Sequence, residues 1–203
     1  MASITIQPNT TEGNDCYISN DDIVHNEDYI ATGSVNGGEL ATLIKFDLSD
    51  IPSGSTITSA ELSIYQYHNV GTPPAHTLYA YRLKRATTET ATTWTKYDGV
   101  NAWQTSGAFG ENDIDITASG SGSGSSSLGW VTITLNNDDV KEMVDGEFTN
   151  NGFKIYYAGG TGNNAPLYRS SDYTGDASLR PKLVIDYTEG SVGIAASKRI
   201  INC

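Results

Sequence analysis

The chain is poor in positive charge: 12 lysines and arginines stand against 24 acidic residues, a formal charge of −12. Such a body repels a phosphate backbone, and no run of lysine or arginine supplies a local exception, so nucleic acid is excluded as a partner. No apolar stretch approaches the length of a bilayer-spanning helix, which excludes a membrane span of that kind. The N-terminus, Met1 to Gln7, passes straight into an alternation with Ile4 and Ile6 on one side, and so reads as a strand, not as a secretion signal. Two cysteines, Cys16 and Cys203, cannot build a disulfide framework and lack metal-ligand spacing. Charged residues amount to only 18%, too few for a disordered chain.

What is abundant is small and polar. Among 203 residues there are 23 threonines, 20 serines, 21 glycines and 12 tyrosines against four phenylalanines, a composition that favours strands and turns over helices. Strand patterns recur between turn-formers. Leu40 to Phe46 precedes the turn Asp50-Ile51-Pro52-Ser53-Gly54. Ile57 to Tyr67 then alternates Ala60, Leu62 and Ile64 inward against Glu61, Ser63, Tyr65 and Tyr67 outward. Thr77 to Arg85, Trp130 to Leu135, Phe153 to Tyr157, Leu167 to Ser170 and Lys182 to Tyr187 supply further strands. The stretch from Ala86 to Ala118 is loop-rich, but Trp94, Trp103 and Phe109 predict that it folds onto the body. Ser119 to Ser127, nearly pure glycine and serine, reads as an exposed loop. One helix is predicted, capped at Asn137, with Asp138 and Asp139 in its first turn and Gly146 at its end. Many short strands with a single short helix predict an all-β fold, an antiparallel β-sandwich of jelly-roll type, over residues 1–189.

Three segments resemble a known family. They are Leu43-Ile44-Lys45-Phe46-Asp47-Leu48-Ser49-Asp50-Ile51-Pro52-Ser53-Gly54-Ser55-Thr56-Ile57-Thr58-Ser59-Ala60-Glu61-Leu62, then Thr93-Trp94 with Trp103 and Gly107-Ala108-Phe109-Gly110, then Tyr168-Arg169-Ser170-Ser171-Asp172 with Arg180-Pro181-Lys182-Leu183-Val184-Ile185-Asp186-Tyr187. In this order they resemble the DNRLRE domain family, β-sandwich modules also grouped with carbohydrate-binding modules. The resemblance implies a non-catalytic module of the kind appended to extracellular enzymes or carried on cell and particle surfaces, some members of which are thought to hold polysaccharide.

The residues themselves offer three kinds of site. Tyr65, Tyr67, Tyr79 and Tyr81 lie on outward or mixed faces of two successive strands and would make a sugar-stacking platform if those strands are neighbours. The alternative is that they pack under loops or against a second copy in a homo-oligomer. Gly110-Glu111-Asn112-Asp113-Ile114-Asp115 sets Asp113 and Asp115 at alternate positions beside a glycine turn, as a structural calcium ion would use them; plain solvated turns are the alternative, and no other cofactor is expected. Catalysis finds little support, because His25, His68 and His76 are scattered and HExxH and GxSxG are absent. The chain is expected not to be an enzyme.

Residues 190–203 break from the rest. All 24 acids and ten of the twelve basic residues lie before Gly190, so the body carries −14 and the tail +2. This basic, apolar tail reads as a docking peptide, with Ile194, Lys198, Arg199, Ile200 and Ile201 as its contacts, or as an end that folds back on its acidic body. An exterior-type fold without an export signal reaches the outside most simply as part of a released particle. The leading expectation is therefore a virion accessory protein, a decoration or fibre protein on a particle surface, anchored to capsid or other particle proteins by its tail. The alternative is a stand-alone carbohydrate-binding module of a secreted, polysaccharide-degrading system, extracellular and in contact with surface polysaccharide.

Overall fold

Alternation decides the longest element of the fold. In Thr56–Val70 (β6), Ala60, Leu62 and Ile64 are buried, while Tyr65 and Tyr67 point to the opposite face. The computed structural model describes residues 1–190. Among them, eleven further strands accompany β6: Ala2–Ile6 (β1), Asn14–Ser19 (β2), Tyr29–Ala31 (β3), Gly33–Val35 (β4), Gly38–Lys45 (β5), His76–Arg82 (β7), Gly120–Gly124 (β8), Gly129–Leu135 (β9), Phe153–Tyr157 (β10), Ala165–Arg169 (β11) and Lys182–Thr188 (β12). One α-helix, Asn137–Asp145 (α1), lies between β9 and β10. The fold is thus all-β with one short helix, and every strand pair is antiparallel.

The two expected layers are halves of one curled sheet, in the order β1-β12-β6-β9-β8-β7-β10-β5-β2, with β11 beside β6 and β3. Leu62 and Ile64 of β6, Ile133 of β9 and Leu183 and Ile185 of β12 meet Leu78 and Ala80 of β7, Ile155 of β10 and Ile44 of β5 in one central core. Each large aliphatic side chain so buried contributes about 1.5–3 kcal/mol. Val140 and Met143 of α1 close one end of this core. The helix cap is Asn136, one residue earlier than predicted: its side-chain oxygen accepts from the backbone N–H of Asp138 and Asp139, and Gly146 ends the helix.

The two outer faces of the curl are treated differently. On the β2-β5 side, Cys16, Ile18, Ala41 and Leu43 point away from the central core and are covered by Leu83, Trp103, Ala108 and Ile114. The segment after β7 therefore folds back as its aromatics predicted. Strand β5 is buried on both faces, so its sequence lacks clean alternation. Lys154 of β10 is also buried beneath this cover; its Nζ donates to the carbonyl oxygens of Gly107 (2.7 Å) and Ala108 (3.2 Å) and sits 3.2 Å from the centre of the Phe109 ring.

The glycine-serine stretch is a strand, not a free loop. β8 pairs with β7 on one side and β9 on the other, and so joins the two halves of the curl. Its composition answers to crowding: a Cβ added at Gly120 would lie 2.4 Å from the Thr134 carbonyl oxygen, and one at Gly122 would lie 2.3 Å from that of Thr132. The residues are small because a neighbouring backbone occupies the side-chain space.

Candidate functional site

Among the described residues, the outer face of β12-β6-β9 has no covering loop like that of the β2-β5 side, and it carries a row of aromatics. Register places Tyr65 of β6 directly opposite Trp130 of β9, with Ser63 opposite both Thr132 and Lys182. All therefore share one face, because the residues next to them along their strands, Leu62, Ile64, Val131, Ile133 and Leu183, point inward. The Tyr65 and Trp130 rings meet edge to face at 5.4 Å and 77°. Trp130 remains 40% exposed, and Lys182 holds its ammonium 4.2 Å above the indole. The hydroxyls of Ser63 and Thr132 are 3.0 Å apart beside it.

Tyr67 continues the row. It occupies a bulge in β6, where Leu167 pairs with His68 and Tyr168 with Gln66. The Arg169 guanidinium lies between two rings, 3.7 Å from the centre of Tyr67 and 3.8 Å from that of Tyr173, and 3.7 Å from Asp28. Burial pushes the Tyr67 phenol above its ordinary range, with Arg169 pulling against it. Two cations, each stacked on exposed or half-exposed aromatics, therefore line a face of an otherwise acidic protein; each such contact contributes about 0.5–1 kcal/mol at an exposed site.

The four tyrosines singled out in the sequence do not form one platform. β9 and β8 lie between β6 and β7, so Tyr79 and Tyr81 sit on the other half of the sheet. Tyr81 packs against the cover of the β2-β5 face, and Tyr79 borders a shallow hollow at Ser119–Ser121. Trp130, Lys182, Arg169 and Tyr173 take their place beside Tyr65 and Tyr67. Trp130 was legible: it opens the alternation Trp130-Val131-Thr132-Ile133, which sends it outward when Val131 goes in.

Asp113 and Asp115 are committed elsewhere. Asp113 is fully buried and accepts from the backbone N–H groups of Gln104, Thr105 and Gly110. Asp115 accepts from Arg82 at 2.7 Å, and that contact holds its carboxyl below the usual range. They hold the covering loop together, and among the described residues no three His, Cys, Asp or Glu side chains converge as metal ligands. The tail residues Ile194, Lys198, Arg199, Ile200 and Ile201 lie outside the described residues.

A separate cleft of about 420 Å³ opens beside β2, β3, β4 and β5. Its walls are Tyr17, Tyr29, Ala31, Val35, Leu40, Val70 and Leu167, with Ser19, Asn20, Asn36 and Asp21 among its polar groups. The His25 ring stacks on Tyr17 at 4.2 Å, and its two nitrogens face Asp21 (3.0 Å) and Glu27 (3.4 Å). The hairpin between β4 and β5 turns through Asn36 and Gly37, both with positive φ (52° and 80°), as a two-residue turn of that hand requires.

A model of the Disaggregatase related repeat domain matches residues 14–185, from the start of β2 into β12. The chain belongs to that family. No curated protein matches the chain. The matched span of the repeat includes the aromatic face, the cleft and the covering loop, and leaves out residues 1–13 and the chain from Asp186 onward.

Proposed function

We propose that this Disaggregatase related repeat is a non-catalytic carbohydrate-binding module that holds a polysaccharide chain across the outer face of β12-β6-β9. The observation that carries the reading is Trp130, a large aromatic left 40% exposed among the described residues and braced edge-on by Tyr65. A pyranose presents an apolar C–H face that stacks on such a ring, while its hydroxyls need nearby donors and acceptors. The exposed Thr132, held by the buried Ser63, supplies a hydroxyl, and Lys182 and Arg169 supply cationic donors, which favour a glycan bearing acidic groups. The resemblance to DNRLRE modules supports the same reading. Particle anchoring by residues 190–203 rests almost wholly on residues outside the described ones, and the described body favours the glycan face.

The test is binding to a panel of neutral and acidic polysaccharides by calorimetry, with Trp130→Ala set against Tyr79→Ala. Loss of the indole removes a stacked surface worth about 2 kcal/mol, so affinity falls roughly thirtyfold, while Tyr79→Ala binds as the parent does. Unchanged affinity in Trp130→Ala refutes the site, and shortening of the glycan during incubation with rigorously purified protein refutes the non-catalytic role.

A further inference from the structure

The cleft beside β2–β5 has largely apolar walls and one acid, Asp21, in its lining. Tyr17, Tyr29, Val35, Leu40, Val70 and Leu167 form the walls, and among the described residues His25 but no lysine or arginine lines it. Asp21 stands at the rim, its side chain 46% exposed and 3.0 Å from the His25 ring; on the same loop Glu27 faces the other His25 nitrogen and Asp28 faces Arg169. A space of about 420 Å³ takes a few side chains rather than a folded domain. Aliphatic groups carrying positive charge complement such a lining.

One stretch of this chain has that chemistry. Residues 190–203 contain no acid, and place Lys198 and Arg199 beside Ile194, Ile200 and Ile201. Reach keeps the tail's two cations from the cleft of the same molecule. Thr188 pairs with Thr56, the first residue of β6, whereas Val70, its last, lines the cleft. A 15-residue strand extends roughly 45 Å between these points. Lys198, the eighth residue after Gly190, reaches at most about 29 Å even when fully extended.

We infer that residues 190–203 of one copy seat in the Tyr17–Tyr29–Leu40 cleft of a second copy, with Lys198 and Arg199 drawn to Asp21 at its rim and to the acidic body around it. The tail leaves one end of β6 and the cleft lies at the other, so the contact is heterologous and head-to-tail: each molecule gives a tail and receives one. Repetition produces open chains or closed rings. The cleft and the glycan face use different lining residues, so Trp130→Ala leaves this assembly unchanged.

Sedimentation of the full chain over a range of concentrations tests it, with two full-length variants checked for native circular dichroism. One carries Lys198→Glu and Arg199→Glu and has no working tail; the other carries Val35→Arg, at a half-buried position of the wall, and has no working cleft. The parent chain gains mass with concentration and loses it at high salt. Each variant alone remains monomeric, and an equimolar mixture forms a dimer that grows no further, since one working tail meets one working cleft. A parent chain that stays monomeric at its highest soluble concentration overturns the inference. So does association unaffected by the tail variant, which would give the cleft a different occupant, and so does a mixture that forms no dimer.

Discussion

Lys154 makes the stability of this fold depend on pH in an unusual direction. Its ammonium group lies fully buried beneath the covering loop, donates to the carbonyl oxygens of Gly107 and Ala108, and is flanked by the Phe109 and Tyr156 rings. Burial disfavours the charged form and pulls its pKa from the ordinary lysine range down to about 7, against the weaker pull of Glu39 and Asp113. In the unfolded chain the same group stays protonated to about pH 10. Between these limits the unfolded state binds more protons than the folded one, so stability rises with pH across the window. The slope reaches about 1.4 kcal/mol per pH unit, which amounts to roughly 4 kcal/mol from pH 7 to pH 10. Other groups titrate over the same range, and comparison with Lys154→Met removes them, since methionine keeps the length of the side chain without its charge. At any single pH the variant sums two opposed effects, relief of a buried cation and the stranding of two carbonyl groups. The change of the difference with pH isolates the titration. Chemical denaturation of both proteins across this range should show the parent gaining on Lys154→Met by several kcal/mol toward pH 10. A difference that stays flat refutes the argument, because it means that Lys154 keeps its proton throughout.

Two further substitutions probe how the sheet is closed and capped. Gly122→Val pushes a branched side chain into the Thr132 carbonyl, which the Cβ alone would approach to 2.3 Å; it should destabilise the fold by about 3 kcal/mol, read as a fall in Tm, whereas a neutral outcome would mean that β8 is not held between β7 and β9. Arg82 is 5% exposed, donates to Asp115 at 2.7 Å and Glu142 at 2.6 Å, and lies over the Phe148 ring, so it joins β7 to α1 and to the covering loop. Arg82→Met should cost about 3 kcal/mol in denaturant unfolding, since it leaves a cluster of carboxylates without their cation, and a cost near zero would show that these ions are solvated independently.

Residues with a local physical signature were legible in the sequence. The alternations Ala60-Glu61-Leu62-Ser63-Ile64-Tyr65 and Trp130-Val131-Thr132-Ile133 assign inner and outer faces because side chains on a strand point to opposite sides in turn. Tyr65 and Tyr67 were placed outward on that ground, and the helix after Leu135 was readable from its asparagine, its acidic first turn and Gly146. Other features became visible only in three dimensions. Gly120–Gly124 has no apolar alternation, and its role as the joining strand exists only because β7 and β9 come close enough to exclude any larger side chain. Asp113 and Asp115 look like cation ligands in a line of sequence, but the covering loop turns its own N–H groups onto one and Arg82 onto the other.

Strand order carries the functional distinction. Local sequence settled which side chains leave the sheet, since that depends on a residue and its two neighbours. Which outward side chains stand together depends on the strands that pair across long separations: β9 brings Trp130 to Tyr65, β12 brings Lys182 to Trp130, and the same order sets Tyr79 and Tyr81 two strands away. The aromatic face is a product of register, and register is decided by the burial of the opposite face of the sheet.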